Sequence, residues 1–537
     1  MANYRLSCNS WSLQLFEQPV PEPLYSYKAD MQVYSAYYSF DLSILKYATL
    51  STTGRIDKLS TLPSDNNTFF YPSATLSSMI SDIVKMPSFV NNIKVRASYA
   101  NVKGALTRPT IGPAYDAMGF SHPYSSRPDL TTSYNGPTYA NQDTYITRAL
   151  YNNEPSVSLS PTMANSSLKP YSVTSYEGGL ETNFFDNRIG LDLTYFYTLN
   201  GPQIFSKTAP ASTGYNYQLI NGVVTKKDGY ELTLRFVPIF NKTGMRWQIS
   251  MNGSTYRETL HEAIGKEDGI SLNGHYYKIG ERMDGIFGTK YNRDNEGNVI
   301  FDAGGMPVYS PKGDEHNKLL GYANPDYVWG ISSNFSYKNI SFNLQFDGRV
   351  GGTIFNELYA RQFQSGNSPT LVSGSYGEAR RKEWDSYKNT GSIDPGLVGN
   401  GVKIVSGTPK FENGYITNMD EDLTFAPNDK AVRLQSYTQS IYSNIMEEFM
   451  VDKTYTKLRE VSVGYSFQTK LFQGKPQQIT VSLVGRNLLY FSKVDNMDMD
   501  QWAEGYNASE TRIDSRPSIR LQSPTTRQIG FNLNVNF

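Results

Sequence analysis

The chain has 537 residues, with 50 basic and 50 acidic side chains, 13% aromatic residues and a single cysteine. Balanced charge argues against a nucleic-acid partner, because phosphate binding requires a basic surface. One cysteine excludes an internal disulfide framework and a thiolate metal cluster. A chain of this length predicts either several soluble domains or one architecture that grows without a filled core, such as a large barrel.

Membrane insertion through a helix is excluded, because the sequence has no stretch of about 18 apolar residues. A membrane protein of this sequence would therefore have to be a β-barrel. The first residues read MANYRLSC and lack the apolar core of a signal peptide. If the protein lies in an outer membrane, we expect its true N-terminal part to be missing from this sequence.

Apolar and polar residues alternate along the whole chain, which is the period-two pattern of a strand with two different faces. Clear examples occur at residues 93–99, 189–197, 230–236 and 461–467. We count about 13 or 14 such segments, most of them near the length of about 9 to 11 residues that crosses a bilayer at a tilt.

The last segment, RQIGFNLNVNF, shows the alternation most clearly. Its apolar residues fall on one face and its asparagines on the other, and asparagine is a poor strand former unless that face is wet. The apolar set, predicted to face lipid, is Ile529, Phe531, Leu533 and Val535. The polar set, predicted to face a lumen, is Asn532, Asn534 and Asn536.

Connection lengths separate a barrel from a soluble sandwich. Short turns alternate strictly with long connections, which is typical of an outer-membrane barrel with short periplasmic turns and long extracellular loops. A soluble sandwich has no reason to sort loop length by side. The predicted extracellular loops lie at about residues 102–173, 199–228, 257–328, 351–453 and 488–525. The fold class is therefore predicted to be all-β, a transmembrane antiparallel β-barrel.

Five separated blocks resemble the SusC/RagA family of TonB-linked outer-membrane transporters, in the order of that family. They are SLKPYSVTSYEGGLETNFFDNRIGLDLTYFY, PASTGYNYQLINGVVTKKDGYELTL, LGYANPDYVWGISSNFSYKNISFNLQFDGRVGG, YTKLREVSVGYSF and SLVGRNLLYF. The resemblance implies an importer with a barrel of about 22 strands and an internal plug. It also implies a SusD-like surface lipoprotein that captures glycan or peptide, and energy from the TonB complex.

The family's plug, TonB-contacting segment and first strands have no counterpart in this sequence. We therefore expect residues 1–537 to be the C-terminal part of such a barrel, without a plug domain. About 14 strands would leave two sheet edges unpaired, so we expect an open, curved sheet or a strained small barrel. A regular ladder between residues 4–16 and 527–537 would contradict this expectation. The region NRDNEGNVIFDAGGMPV lacks regular acidic spacing, so no metal or other cofactor is predicted.

Candidate binding residues come from the predicted loops. Aromatic faces stack on sugar rings, and the candidates are Trp384, Tyr387, Trp502 and Tyr506. In outer-membrane barrels generally, the assembly machinery recognises a C-terminal Phe that closes an alternating strand. Phe537 matches this feature and is the predicted assembly signal. Two acidic clusters, residues 420–422 and Asp495 with Asp498 and Asp500, could bind a cation or substrate, or form a solvated loop surface.

No enzyme activity is predicted. The four histidines have no zinc-binding spacing, and the Ser-x-x-Lys matches at Ser43 and Ser166 have no companion motif. The favoured function is import of an oligosaccharide or peptide across the outer membrane. Two other hypotheses stay open: a soluble or surface-attached β-rich carbohydrate-binding protein, and a plugless pore or inactive fragment.

Overall fold

A computed structural model describes residues 4–9, 12–17, 32–45, 47–104, 141, 145–151, 154–159, 161–241, 243–264, 267–272, 275–311, 317–419, 423–469, 477–494, 497–500 and 525–536. Within them, thirteen antiparallel strands form one sheet in which each strand pairs with the next in chain order. We call this sheet the wall. Its strands are β1 Val33–Ile44, β2 Ala48–Leu59, β3 Thr68–Met79, β4 Val90–Gly104, β5 Tyr171–Phe184, β6 Ile189–Thr208, β7 Tyr217–Phe240, β8 Met245–Glu262, β9 Tyr327–Tyr337, β10 Ile340–Val350, β11 Tyr455–Thr469, β12 Gln477–Ser492 and β13 Gln528–Asn536. The predicted all-β barrel sheet of about 13 or 14 strands is confirmed.

One face of the wall carries an exposed apolar belt, because the register keeps the apolar residues of neighbouring strands side by side. Phe531 pairs with Leu483, Leu483 with Val463, and Val463 with Phe342, across β13, β12, β11 and β10. Phe531 is 78% exposed and Leu483 is 61% exposed. A soluble protein rarely exposes so extensive an apolar surface, whereas the outside of a membrane barrel requires one.

The opposite face of the wall is polar, as the alternation predicts. Asn534 pairs with Thr480, which pairs with Ser466, so hydroxyl and amide groups line the sheet at its C-terminal end. Toward the N-terminal end this face carries ion pairs, including Arg96 with Asp192 at 2.7 Å. The polar face therefore carries both neutral and charged groups.

At one end of the wall every connection between neighbouring strands has ten residues or fewer, whereas the other end carries four connections of more than 30 residues and two of eight. The short turns at one end run from 45 to 47, 80 to 89, 185 to 188, 241 to 244, 338 to 339 and 470 to 476. The other end carries the connections 60–67, 105–170, 209–216, 263–326, 351–454 and 493–527. We call the second end the outer end. Rings cluster at the short-turn end, where Phe89, Phe184 and Phe185 lie 5.8 to 6.5 Å apart.

The predicted long loop at 199–228 is wrong. Strands β6 and β7 contain 20 and 24 residues, so they continue well past the membrane-crossing length and leave only residues 209–216 as their connection. Ile204 and Leu219 in this extension are 2% and 0% exposed, so the hairpin is held by burial of its apolar residues. A register shift between Asn200 and Gln203 interrupts the ladder and obscures the alternation in the sequence.

Both edges of the described sheet are open. Strand β1 pairs with β2 and strand β13 with β12, while residues Tyr4–Asn9 pair with Ser12–Glu17 in a separate hairpin. No ladder joins residues 4–16 to 527–536 among the described residues. The structure thus agrees with the expected open sheet.

A compact module lies at the outer end, built from residues 289–311, 353–419 and 423–452; we call it the outer module. Besides the one-turn helix α1 Ile80–Ile83 near the short turns, the helices of this structure are α2 Glu357–Ser365, α3 Gly374–Thr390 and α4 Leu434–Asn444. Short strands pair around them, namely Ile300–Phe301, Thr353–Phe355, Leu397–Val398, Val402–Ser406, Phe411–Glu412, Tyr415–Ile416, Thr424–Pro427, Ala431–Val432 and Met450–Asp452. Thr162–Met163 adds a short strand to the wall sheet and pairs in parallel with Tyr217 and Gln218 of β7. Further short strands outside the wall and the module are Tyr145–Tyr151, Glu154–Leu159, Gly269–Leu272, His275–Lys278, Gly285–Gly288 and Lys318–Tyr322.

The outer module has its own hydrophobic core. Helices α2 and α4 pack side by side, and Phe363, Ile441 and Phe449 are all at most 1% exposed. The sequence predicts this region as a long loop, but the structure folds it into three helices and small sheets. Among the described residues, none of the helices is both long enough and apolar enough to cross a membrane.

Candidate functional site

Two predicted binding residues, Trp384 and Tyr387, lie together on helix α3 of the outer module. Their ring centroids are 6.1 Å apart and the ring planes are inclined by 33°. Trp384 is 58% exposed and Tyr387 is 50% exposed, in contrast to the buried rings of the module core. The pair therefore forms an exposed aromatic platform, which we call the α3 platform.

Local sequence explains why helix α3 presents these rings. Its centre, EARRKEW, is rich in strong helix formers, and Gly391 ends the helix in the left-handed conformation with φ 74°. Residues three and four apart share a helix face, so Arg380 and Arg381 lie about one turn before Trp384, and Tyr387 lies about one turn after it. Gly377 permits close packing one turn earlier, because a Cβ there would lie 2.6 Å from the backbone of Val372.

A pocket of about 600 Å³ lies against the platform. Its walls combine two rings, two arginines and aliphatic side chains. The lining residues are Val372, Gly377, Arg380, Arg381, Glu383, Trp384, Tyr387 and Ile393. This combination can bind a ligand that offers flat apolar faces together with anionic or hydroxyl groups.

Glu383, the acidic residue of this pocket, accepts hydrogen bonds from backbone amides. Its Oε1 accepts hydrogen bonds from the Leu434 amide at 2.7 Å and the Gly396 amide at 3.2 Å. Leu434 is the first residue of helix α4, where a carboxylate satisfies a free amide and opposes the helix dipole. Glu383 thus joins α3 to α4, and Arg380, whose Nη1 donates to the Gly366 carbonyl at 3.0 Å, is also oriented by the backbone.

Three other predicted site residues, Trp502, Tyr506 and Phe537, lie outside the described residues. Their binding and assembly roles stay predictions. The acidic cluster 420–422 and Asp495 also lie outside the described residues.

Asp498 and Asp500 belong to a buried charge cluster at the outer end of the wall. Lys457 Nζ lies 2.6 Å from Asp498 Oδ2 and 3.3 Å from Asp500 Oδ2, and the Lys457 side chain is fully buried. Arg459 donates to both oxygens of Asp500 at 2.5 and 2.7 Å and to both oxygens of Asp347 at 2.6 and 2.7 Å. We call Asp347, Lys457, Arg459, Asp498 and Asp500 the anchor cluster.

Electrostatics in the anchor cluster favour the charged carboxylate of Asp500. Burial alone would raise the pKa of Asp500, but hydrogen bonds from Arg459 and from the Tyr455 hydroxyl outweigh burial and lower this pKa to about 2. Met497 and Met499 pack beside the cluster, with 5% and 1% exposure. The cluster therefore fixes the start of the 493–527 connection to the wall.

For Asp498 and Asp500, the interpretation as a solvated loop surface is wrong. They are not a solvated loop surface, because Asp498 is 5% exposed and both pair with wall cations. Lysine and arginine occupy the positions that a bound cation would need. The sequence does not indicate the roles of Lys457 and Arg459. A bulge between Leu458 and Glu460 turns Arg459 toward Asp347, and no sequence pattern predicts this bulge.

A further buried carboxyl, Glu448, lies inside the outer module. The Tyr291 hydroxyl donates to Glu448 Oε2 at 2.9 Å, and the Tyr291 amide donates to Glu447 Oε2 at 3.0 Å. Burial raises the pKa of Glu448, the bond from Tyr291 lowers it in part, and the charge of Glu447 raises it again. In the part of the chain that the structure describes, no group of three or more metal-ligating side chains converges.

Comparison with known proteins gives a family match. Residues 2–356 match the family model described as TonB dependent receptor-like, beta-barrel. The TonB-dependent receptor P3 of Formosa agariphila is 23% identical over 518 residues, which cover 90% of this chain and 43% of that protein. The TonB-dependent receptor SusC of Bacteroides thetaiotaomicron is 20% identical over 383 residues, covering 67% of this chain and 34% of SusC. The chain thus spans less than half the length of these relatives.

Solved structures share the fold. The RagAB peptide importer in its closed-closed state superposes with a TM-score of 0.60 at 15% identity, covering 94% of this chain and 47% of that chain. Its open-open state gives a TM-score of 0.59, also at 15% identity, with 88% and 44% coverage. Likeness at this level of identity shows the fold alone.

Proposed function

We propose a function on the ground that this chain belongs to the TonB-dependent receptor-like β-barrel family, whose members are transporters and receptors of the outer membrane. From that premise, we propose that the chain supplies wall and outer loops to a TonB-dependent importer of oligosaccharides or peptides. We propose further that a SusD-like lipoprotein and the TonB complex are its partners, and that the wall contacts outer-membrane lipid.

The observation that carries the proposal is the two-faced wall. Large apolar side chains such as Phe531 stay exposed on one face, while hydroxyl, amide and charged groups cover the other. Lipid on the first face and a wet lumen on the second satisfy both sets of groups. The soluble carbohydrate-binding alternative would leave the apolar belt in contact with water.

The domain arrangement follows from the same proposal. The connections at the outer end, including the outer module, face the cell exterior, and the short turns face the periplasm. Pairing of the open edges β1 and β13 is assigned to wall strands outside this chain. The fact that the chain covers 43% of the P3 receptor supports this assignment, because a barrel removes sheet edges only by complete closure.

Uptake by the full-length transporter tests the proposal. Cells expressing it are supplied with labelled oligosaccharide or peptide libraries, with and without a functional TonB complex. We expect TonB-dependent accumulation of at least one class, and recovery of the protein in the outer-membrane fraction only with detergent. Accumulation that is unaffected by loss of TonB would support the plugless-pore alternative, and solubility without detergent would support the soluble one.

A further inference from the structure

We infer that the pocket beside the α3 platform binds an acidic oligosaccharide, one that carries carboxylate or sulfate groups. The inference rests on the proposed import function and assigns a substrate class to this part of the outer module. It is carried by the combination of two exposed rings with two arginines in one pocket.

Folding of the outer module does not explain why the rings of the α3 platform are exposed. Two rings of the outer module core, Phe301 and Phe449, are only 2% and 1% exposed. Trp384 and Tyr387 are instead more than half or half exposed, although a helix of this composition would form equally well without them. Apolar area held open to water beside a pocket is typical of a binding site.

Ring geometry favours a sugar as the ligand. Each aromatic face offers flat apolar area to the C–H face of a pyranose, while the edges remain free for hydroxyl groups. Two rings with centroids 6.1 Å apart and inclined by 33° form a curved surface that can support consecutive residues of a bent chain. The pocket volume of about 600 Å³ lies within the range of sites that hold small organic ligands.

Charge adds the acidic character. Arg380 and Arg381 line the pocket, and the guanidinium fork matches the paired oxygens of a carboxylate or sulfate. The opposing charge of Glu383 is directed at the amides of Leu434 and Gly396. A neutral sugar would therefore leave the two arginines without anionic partners in the complex, whereas an acidic one would pair with them.

Calorimetric titration of the full-length transporter in detergent tests the inference. Four probes are used: tetragalacturonic acid, a sulfated tetrasaccharide, neutral maltotetraose and a tetrapeptide of aspartate and glycine. We expect one or both acidic saccharides to bind at least tenfold more tightly than maltotetraose, and the two arms to identify carboxylate or sulfate as the preferred group. Stronger binding of the peptide, or equal binding of maltotetraose, would overturn the inference.

Variants locate the binding. The double substitution Arg380→Gln with Arg381→Gln should weaken acidic saccharides at least tenfold without changing maltotetraose. Its matched control is Lys382→Gln with Lys388→Gln, which removes two charges from the same helix but leaves the pocket-lining residues in place. Equal losses in the two doubles would show a general charge effect and contradict the inference.

The aromatic contribution is tested separately. Trp384→Ala should weaken every saccharide, whereas Trp384→Phe should restore part of the affinity, and amide hydrogen exchange of α3 reports whether the helix stays folded. TonB-dependent uptake by the unmodified transporter separates the two hypotheses. Normal uptake by it without any preference for acidic saccharides would refute this inference and leave the proposed import function intact.

Discussion

Phe531 on the last wall strand leaves 78% of its surface exposed, whereas Phe363 in the outer module leaves 1%. The two residues are chemically identical and differ only in their surroundings. In the outer module, helices close over a core and remove apolar area from water, worth about 25 cal/mol per Å². In the wall, every second residue of a strand faces outward, so lipid must cover the apolar area of these residues. The helical period therefore places apolar residues in a core, and the strand period places them against lipid.

Charged groups reinforce the contrast at the junction of the two regions. The anchor cluster buries Lys457 completely and joins β10, β11 and the connection after β12. A buried ion is tolerated only where opposite charges and hydrogen bonds compensate for lost hydration. The cluster therefore marks the place where the sheet ends and the packed outer region begins.

The largest expected effect is in the core of the outer module. Phe363→Ala should lower the free energy of unfolding of the module by about 3 to 5 kcal/mol, because a cavity replaces a fully buried ring. The matched control is Phe411→Ala, since Phe411 lies in the same module but is 56% exposed, and its change should stay within about 0.5 kcal/mol. Hydrogen exchange of helices α2 to α4 measures both. Equal effects would show that the module has no independent core.

The wall should respond to charge instead of to cavities. Leu483→Arg places a cation on the apolar belt and should cost about 2 to 4 kcal/mol of folding free energy in lipid vesicles if Leu483 lies near the bilayer midplane. Ser482→Arg, one residue earlier and on the polar face, should be tolerated. Urea titration of vesicle-inserted protein measures the difference. A larger cost at Ser482 would reverse the assignment of the two faces.

Sequence reasoning succeeds best where one period governs a whole element. The last strand is an example: Ile529, Phe531 and Leu533 share one face with Val481 and Leu483 of its neighbour, as the alternation predicts. The loop predicted at 199–228 fails because a register shift near Gln203 breaks the alternation, although the strands continue.

The candidate site is predictable only in part. Trp384 and Tyr387 can be found as loop aromatics, and their spacing of three residues places them on one face once α3 is known. The anchor cluster cannot be found in this way. In the sequence, Asp498 and Asp500 look like part of a polar loop. Their partners, Lys457 and Arg459, lie 41 to 43 residues earlier on a bulged strand, and only the tertiary fold brings them near.

Acid should weaken the anchor cluster. The pKa of Asp500 is about 2 against an ordinary value of 3.8, so its stabilisation is complete above about pH 4 and is lost as the pH falls toward 2. The difference corresponds to about 2 kcal/mol. Asp500→Asn should remove this amount at neutral pH and flatten the acid response, while the exposed Asp385→Asn on α3 should leave it unchanged. Hydrogen exchange of residues 497–500 at pH 3 and pH 6 provides the readout; an acid response that persists in Asp500→Asn would assign it to another group.

Glu448 should show the opposite pH dependence and the smallest effect. Burial raises its pKa above the ordinary value of 4.5, so the folded outer module binds a proton more tightly than the unfolded chain does. Stability is therefore greatest below pH 4.5 and declines as the pH rises through the raised pKa. Glu448→Gln removes the charge while its amide oxygen can still accept from the Tyr291 hydroxyl, so we expect a gain in stability at neutral pH. Glu447→Gln is the matched control with the opposite sign, because Glu447 pairs with Arg293 at 3.7 Å and accepts from the Tyr291 amide. Thermal unfolding of the two variants between pH 4 and pH 8 distinguishes them. A loss of stability in Glu448→Gln at neutral pH would mean that groups inside the module compensate for the charge of Glu448, as Arg459 and Tyr455 do for Asp500.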